Sequence, residues 1–139
     1  MWSVGATLFE LYTGKICFPG KNNNGMLKSI MDMRGKFSHK LIRRGACKDK
    51  HFDLECNFLY QDFDKLTERV KTVTMGHITV TRDLGQELMC EKNITETFKR
   101  KILQFKDLCE KIFTLDPTKR IVPNEALMHP FIREDGANP

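Results

Sequence analysis

Three residues in the middle of the chain have side chains that could bind a metal ion: Cys47, His51 and Cys56. A structural zinc site uses four Cys or His ligands, with pairs of them only a few residues apart. The sequence contains no Cys-x-x-Cys pair and supplies no fourth ligand at a suitable spacing. We therefore interpret these three as structural residues and expect no metal in this chain.

Residues that cradle phosphate groups are also absent from the sequence. A Gly-x-Gly-x-x-Gly loop lets the backbone approach a nucleotide closely, and no such loop occurs. The five cysteines are an odd, widely spaced set, which predicts reduced thiols rather than disulfides. The first basic residue, Lys15, follows the first apolar stretch, so we expect no signal peptide. The apolar runs are too short for a membrane span.

The chain of 139 residues carries a formal net charge of +5, which could attract acidic partners or nucleic acid. Its basic residues are scattered, with brief clusters only at Arg43-Arg44 and Lys99-Arg100-Lys101. We interpret both clusters as solvated helix faces. A basic RNA-associated protein stays an alternative, although no aromatic-basic interleaving supports direct binding of nucleic acid.

The first part of the chain predicts two helices. Residues 3–13 are apolar around most of a helical circumference, with Ser3 as the N-cap and Gly14 as the C-cap. Such a helix requires burial on every side. The Asn22–Asn24 run then supplies caps for a helix that ends near Gly35, with Met26 and Met31 on its core face.

The rest of the chain predicts a hairpin followed by helices. Residues 58–63 and 70–74 are aromatic or β-branched and predict two paired strands. Thr81 is expected to cap a short helix ending around Cys90, and Asn93 with Glu96 fits a capping box. The strongest amphipathic pattern is Phe98, Ile102, Phe105, Leu108, Ile112 and Leu115. Pro117 should end that helix, and the last helix should begin at Pro123 and end at Pro130.

Two short motifs stand at the two ends of the chain. The first runs from Trp2-Ser3-Val4-Gly5 to Phe18-Pro19-Gly20, and the second from Leu115-Asp116-Pro117-Thr118-Lys119-Arg120 to His129-Pro130-Phe131. In this order they resemble the last part of a eukaryotic protein kinase domain. The residues that match the family motifs are Trp2, Ser3, Gly5, Pro19, Gly20, Asp116, Pro117, Arg120, His129, Pro130 and Phe131.

The segment between these motifs is similar to one kinase group. Phe-Pro-Gly, an Asn-rich cap, a Met-Leu-Lys helix and a long insert before Leu-Asp-Pro are typical of the CMGC kinases. Within that group, segments such as residues 48–53 and 64–69 resemble the pre-mRNA-processing (splicing) kinases related to the dual-specificity-tyrosine-regulated kinases. The resemblance implies a mainly α fold: residues 1–139 as part of the C-terminal (large) lobe, with a small β-hairpin in the CMGC insert.

The resemblance also implies interactions whose partner residues are not in this sequence. The aspartate that precedes the Trp-Ser-x-Gly tract in kinases has no counterpart, since Met1 stands next to Trp2; this fits a chain cut or started one residue too late. Arg120 matches an arginine that pairs with the glutamate of Ala-Pro-Glu, a motif that is not in this sequence. Val122 stands where Ser or Thr often caps the last helix, and it cannot form that hydrogen bond.

The catalytic parts of a kinase have no counterpart in these residues. The family needs a glycine-rich loop, a strand lysine, a catalytic-loop Asp and Asn, and a metal-binding Asp. Arg82-Asp83-Leu84 and Asp83-Leu84-Gly85 look like two of these motifs, but they follow the Trp-Ser-x-Gly tract instead of preceding it. We interpret them as a helix N-terminus. We therefore predict no catalytic, cofactor-binding or metal-binding residue, with ATP and magnesium required only by a complete kinase.

The function predicted from this resemblance is that of a catalytically inactive piece of a nuclear splicing kinase. The complete parent would phosphorylate Ser or Thr of splicing proteins. The alternative is a non-catalytic interaction module that binds partners of a full-length kinase. His129 is expected to be structural rather than a base. Expected partners are splicing proteins or kinase partners, with no membrane.

Overall fold

The structure is a computed structural model that describes residues 1–64, 68–89 and 94–134. The chain divides into two compact units, which we call the terminal unit (Met1–Cys17 with Arg82–Pro139) and the central unit (Phe18–Thr81). The elements of the described residues are α1 (Trp2–Thr13), α2 (Asn23–Arg34), α3 (His39–Arg44), β1 (Phe58–Asp64), β2 (Arg69–Met75), α4 (Leu84–Leu88), α5 (Glu96–Ile112), α6 (Pro123–Leu127) and α7 (Pro130–Arg133). The predicted combination of helices with one two-stranded antiparallel sheet is confirmed.

Helix α5 forms the centre of the terminal unit and contacts α1, α4 and α7. Four residues of the predicted apolar stripe lie on the buried face of α5, Ile102, Phe105, Leu108 and Ile112, together with Cys109, which the stripe did not include. Leu115, its last predicted member, lies beyond the end of the helix. Phe98, at the start of the stripe, remains 42% exposed. The helix ends at Ile112, a full turn before Pro117, so the prediction that Pro117 ends it is wrong.

The caps of the terminal-unit helices differ in part from those predicted. Helix α1 begins at Trp2, so Ser3 lies inside the first turn and is not the N-cap. Gly14 is the C-cap as predicted, with a φ of 70° that glycine adopts without strain. Thr95, not Asn93, caps α5 by accepting a hydrogen bond from the Phe98 N–H at 3.3 Å. Asn93 and Cys90 lie outside the described residues.

The short helices of the terminal unit agree with the predictions except at two ends: the cap of α4 and the end of α6. Asp83, not Thr81, caps α4, and its carboxylate accepts a hydrogen bond from the Gln86 N–H at 2.8 Å. Helix α6 begins at Pro123 as predicted, and Val122 forms no side-chain cap. It ends at Leu127, before Pro130, which opens α7 instead.

Helix α1 is buried on one side only. Phe9 is 1% exposed, whereas Val4 is 47% and Leu11 is 77% exposed. The sequence predicts a helix that must be buried on every side. The described residues of the terminal unit pack against it only on the side of Phe9. The outer side of α1 is therefore an apolar surface open to solvent.

The central unit has its own small core. Its buried members are Met31, Ile42, Phe52, Cys56, Phe58 and Ile78. Asn22 caps α2 by accepting from the Gly25 N–H at 2.8 Å, and Gly35 ends the helix, both as predicted. Met31 lies in the core, but Met26 stays 37% exposed.

The predicted hairpin lies mostly on the surface of the central unit. Its strands pair from Phe58 opposite Met75 to Asp64 opposite Arg69. Phe58 is the only strand residue that is fully buried, and every described residue of β2 except Met75 is exposed. Because an isolated two-stranded sheet is marginal in water, this hairpin depends on its contacts with α2.

None of the helices in the described ranges is both long enough and apolar enough to cross a membrane.

Candidate functional site

The two end motifs meet inside the terminal unit at Trp2 and Arg120. The Arg120 guanidinium lies over the Trp2 ring, 5.0 Å from its centroid. Arg120 also donates to the carbonyl oxygen of Thr114 at 3.0 Å and to that of Leu115 at 3.4 Å. Trp2 packs edge-on against Phe113 at 5.2 Å between centroids. Arg120 is therefore held by an aromatic face and two carbonyl groups.

Gly5 allows α1 to approach α5 closely beside this cluster. A Cβ atom at Gly5 would lie 2.6 Å from Cγ2 of Ile112 and 3.0 Å from Cε1 of Phe113. Both of those side chains are fully buried, so neither has room to withdraw. The glycine of the first motif is thus required by helix packing, and together with Trp2 and Arg120 it ties the first motif to the second.

His129 is a buried structural residue, as predicted. It caps α7, since its Nδ1 accepts a hydrogen bond from the Phe131 N–H at 3.2 Å. With Nδ1 accepting, Nε2 is the ring nitrogen that donates, and its partner is Oδ2 of Asp107 at 2.7 Å. Lys111, one helical turn after Asp107, contacts the same carboxylate. Hydrogen bonds from Lys111 and His129 lower the pKa of Asp107 below its usual 3.8.

The other residues of the second motif form a turn and a packing contact. Oδ1 of Asp116 accepts hydrogen bonds from the N–H and the hydroxyl of Thr118 at 3.0 and 2.7 Å. Phe131 stacks on Phe105 with 4.9 Å between centroids. Pro117 lies in the turn after Asp116, and Pro130 opens α7. Ser3 is exposed on α1 and takes no part in the Trp2 cluster.

The remaining motif residues, Pro19 and Gly20, belong to the central unit. A Cβ atom at Gly20 would lie 2.2 Å from the backbone N of Met26. Backbone atoms cannot withdraw as a flexible side chain can, so only glycine fits at position 20, two residues before the Asn22 cap of α2. Pro19 is exposed.

The look-alike catalytic motif is a structural ion pair. Arg82 binds Glu87 through two hydrogen bonds of 2.8 and 2.6 Å and donates a third to the carbonyl oxygen of Cys17 at 2.8 Å. Asp83 is engaged as the cap of α4. These contacts identify Arg82-Asp83-Leu84 as the start of a helix, as predicted.

The link between α2 and β1 was not predicted. Asn24 is 2% exposed and donates to the Leu59 carbonyl oxygen at 2.9 Å and to Nδ1 of His51 at 3.1 Å. Its own oxygen accepts from the Gln61 N–H at 2.8 Å. Burial, followed by the charge of Lys50, lowers the pKa of His51 below 6.5. The Asn22–Asn24 run pointed only to helix caps, because nothing in the sequence distinguishes the buried Asn24 from its two neighbours.

The possible metal ligands of the central unit lie in different environments. Cys56 is buried in the core, Cys47 is exposed, and His51 is engaged with Asn24. Among the described residues, no group of three or more His, Cys, Asp and Glu side chains is clustered. Burial raises the pKa values of the Cys17 and Cys109 thiols to about 12, so neither is a reactive thiolate.

Comparison with known proteins agrees with the kinase motifs. The protein kinase domain family matches residues 1–132. Serine/threonine-protein kinase prp4 of Schizosaccharomyces pombe is 41% identical over 132 residues, which cover 94% of this chain and 27% of that protein. Serine/threonine-protein kinase prpf4B of Dictyostelium discoideum is 40% identical over 134 residues, covering 96% of this chain and 16% of that protein.

A more distant relative is mitogen-activated protein kinase pmk-3 of Caenorhabditis elegans, 28% identical over 134 residues, which cover 96% of this chain and 23% of that protein. The chain thus spans between 16% and 27% of the length of these three relatives. The matches confirm the recognition made from the sequence, and the chain belongs to the protein kinase domain family.

Proposed function

We propose that residues 1–139 are the C-terminal part of the large lobe of a CMGC serine/threonine kinase domain, from its central helix to its last helix. The observation that carries this proposal is the contact between the two end motifs: Trp2 lies under Arg120, and Gly5 packs against Ile112. Motif residues more than a hundred positions apart in sequence thus form one packed cluster. Chance resemblance at the two ends would not require them to meet.

This segment transfers no phosphate on its own. Phosphoryl transfer depends on positioned charges around the nucleotide and its metal ions. The sequence supplies no glycine-rich loop, and the described acidic residues form no metal cluster. Asp83, the residue that most resembles a metal-binding aspartate, is engaged as a helix cap. The role of the segment is therefore to support a kinase domain rather than to carry its chemistry.

A complete kinase containing this segment would use ATP and magnesium to phosphorylate Ser or Thr residues. Its proposed substrates are nuclear pre-mRNA-splicing proteins, and we therefore propose that it acts in the nucleus. The support for these finer assignments is the similarity to prp4 and prpf4B together with the resemblance of the insert to splicing kinases.

The experiment is an assay of the purified chain with radiolabelled ATP, magnesium and myelin basic protein as acceptor. Full-length Schizosaccharomyces pombe prp4 is the positive control. We expect no labelled product and no stabilisation of the chain against heat by magnesium-ATP. The matched variant is Asp83→Asn, which keeps a good helix cap but removes the carboxylate. Magnesium-dependent labelling that disappears in Asp83→Asn would overturn the proposal and make Asp83 a catalytic residue.

A further inference from the structure

The two basic clusters of the sequence differ in their partners. On α5, Arg100 forms a salt bridge with the carboxylate of Glu134, and Lys101 donates a hydrogen bond to the backbone carbonyl of the same residue. On α3, Arg43 and Arg44 form no salt bridge and no side-chain hydrogen bond with any residue in the ranges 1–64, 68–89 and 94–134. The α5 cluster is therefore engaged within the chain, and the α3 cluster is available to a partner.

Three basic side chains share one face of α3. Lys40, Arg43 and Arg44 are three and four positions apart, and residues at that spacing are neighbours on a helix surface, roughly 5–6 Å apart at Cβ. All three are exposed. Ile42, on the opposite side of the helix, is 5% exposed and belongs to the core of the central unit. We call Lys40, Arg43 and Arg44 the α3 basic face.

The segment that contains this face carries most of the net charge of the chain. Residues 39–50 include five Lys or Arg residues and one acidic residue, Asp49, which gives a formal charge of +4 against +5 for the whole sequence. Asp49 makes only a long contact of 3.7 Å with Lys48, and its side chain is 80% exposed. Positive charge concentrated on one surface attracts anionic partners and speeds their association.

We propose that the α3 basic face binds the phosphate backbone of a nucleic acid duplex. Helix α3 has six residues and is therefore about 9 Å long. A duplex carries one negative charge per about 1.7 Å of its axis, so it presents about five phosphates over that length. Lys40, Arg43 and Arg44 would contact these phosphates without reading the base sequence.

A protein or a single strand fits this surface less well. Protein interfaces are centred on buried apolar or aromatic side chains, whereas Leu41 and Ile42 both lie off the basic face and are at least partly buried. The bases of a single strand stack on aromatic side chains, and residues 39–50 include no Phe, Tyr or Trp. Contacts with a duplex backbone require only basic side chains, which is what the face supplies.

The test is fluorescence anisotropy of a fluorescein-labelled DNA duplex of mixed sequence, titrated with the full chain between about 50 and 200 mM salt. One strand of the same duplex is the comparison probe. The variant of the face is Lys40→Gln/Arg43→Gln/Arg44→Gln. The matched control is Lys15→Gln/Lys21→Gln/Lys119→Gln, which removes three exposed charges elsewhere. Because both variants lower the net charge equally, a difference between them reports on the α3 basic face.

We expect the variant of the face to bind the duplex at least about tenfold more weakly than the parent at about 50 mM salt. Each phosphate contact contributes about −0.9 to the slope of log K against log salt concentration, so the loss of three contacts should reduce that slope by about 2–3. The control variant should keep the slope of the parent. The single strand should bind more weakly than the duplex because its charge density is lower.

A second measurement on the unmutated chain locates the contact. The duplex should slow the acetylation of Lys40 by N-hydroxysuccinimide acetate and leave that of Lys15 unchanged, both read by mass spectrometry. Equal salt slopes for the two triple variants, or unchanged acetylation of Lys40, would overturn the proposal. Tighter binding of the single strand than of the duplex would also overturn it.

Vesicles of phosphatidylcholine and phosphatidylserine serve as a different anionic surface. If the variant of the face lost binding to these vesicles but kept that to the duplex, the face would be a membrane contact and the proposal would be wrong. The proposal concerns the central unit alone, so the phosphotransfer assay does not decide it.

Discussion

At the scale of single residues, Arg120 is partly buried and is held by neutral partners. A buried charge left without any partner would be strongly destabilising. Here the guanidinium has two carbonyl acceptors and the face of Trp2. A planar guanidinium suits this arrangement better than a compact ammonium group, which neither stacks nor spreads its donors in the same way.

Arg120→Lys should therefore destabilise the chain by about 0.5–2 kcal/mol. Trp2 is the single tryptophan, so its fluorescence reports directly on this contact. We expect its emission to shift to longer wavelength as water replaces the guanidinium. Arg133→Lys, at an exposed position, is the control. Identical emission spectra for Arg120→Lys and the unmutated chain would contradict the contact.

The Asp107–His129 pair predicts a pH dependence of stability. The folded-state pKa of Asp107 lies below 3.8, so the unfolded chain binds more protons in the interval between the two values. The stabilisation by the ionised carboxylate is complete above pH 3.8 and is lost as the pH falls through the folded-state pKa. Asp107→Asn should lower stability at neutral pH and flatten this acid dependence.

The measurement for Asp107 is the thermal midpoint as a function of pH. Glu96→Gln is the control because the Glu96 side chain is 91% exposed and its contact with Lys99 is 3.7 Å long. If both variants kept the full acid dependence of the parent, the role assigned to Asp107 would be wrong.

At the scale of elements, the close approach of α1 and α5 depends on Gly5. Alanine in a helix is favoured over glycine by about 0.5–1 kcal/mol, whereas overpacking a core costs about 1–3 kcal/mol. At Gly5 the cost of overpacking exceeds the gain in helix propensity, because an added Cβ would lie only 2.6 and 3.0 Å from buried side chains. The chain also offers a helical glycine without that constraint: at Gly25 the nearest atom to an added Cβ is 3.4 Å away.

Gly5→Ala should thus lower the free energy of unfolding, while Gly25→Ala should leave it unchanged or raise it. Both substitutions lie near the start of a helix and so change helix propensity in the same way. A difference between their effects on stability therefore reports on packing. Chemical denaturation gives the two values. A Gly5→Ala chain as stable as Gly25→Ala would show that α1 and α5 do not pack as described.

The hairpin depends on the side chain of Asn24. Removing it in Asn24→Ala leaves the Leu59 carbonyl and the Gln61 N–H without their partner, at a cost of roughly 1–3 kcal/mol. We expect faster hydrogen exchange across β1 and β2 and unchanged exchange in α5. Asn23→Ala, at the exposed neighbouring position, is the control. Unchanged exchange of the hairpin in Asn24→Ala would mean that other contacts hold it on α2.

Helices and strands were predictable where the local sequence pattern is compatible with only one type of secondary structure. The apolar stripe of α5, the Asn22 cap, the Gly14 and Gly35 ends and the two strands all follow from local spacing. The cap of α4 was mistaken at Thr81 because a second suitable residue, Asp83, stands two positions later. The cap of α1 was mistaken at Ser3 because that helix begins at Trp2 without a side-chain cap. The Asn24 link and the Trp2–Arg120 contact join residues far apart in sequence, and no local rule predicts such pairs.

At the scale of the whole molecule, the terminal unit leaves part of its apolar surface exposed to solvent. A groove of about 360 Å³ runs along α1 and α5, lined by residues that include Leu8, Leu11, Tyr12 and Phe105. A surface of this kind is typical of a piece that packs against further structure. This agrees with the proposal that the segment supports a larger kinase domain, and with the length of its relatives.

The most direct test of that proposal is the kinase activity of a chimera. The part of this chain that aligns with Schizosaccharomyces pombe prp4 would replace the aligned segment of that protein, leaving its other parts intact. The control is prp4 rebuilt with its own segment and the same junctions, and magnesium-ATP binding confirms that each protein is folded. We predict phosphate transfer to myelin basic protein within about tenfold of the control. A folded chimera that binds nucleotide but transfers no phosphate would contradict the assignment of this segment to the large lobe.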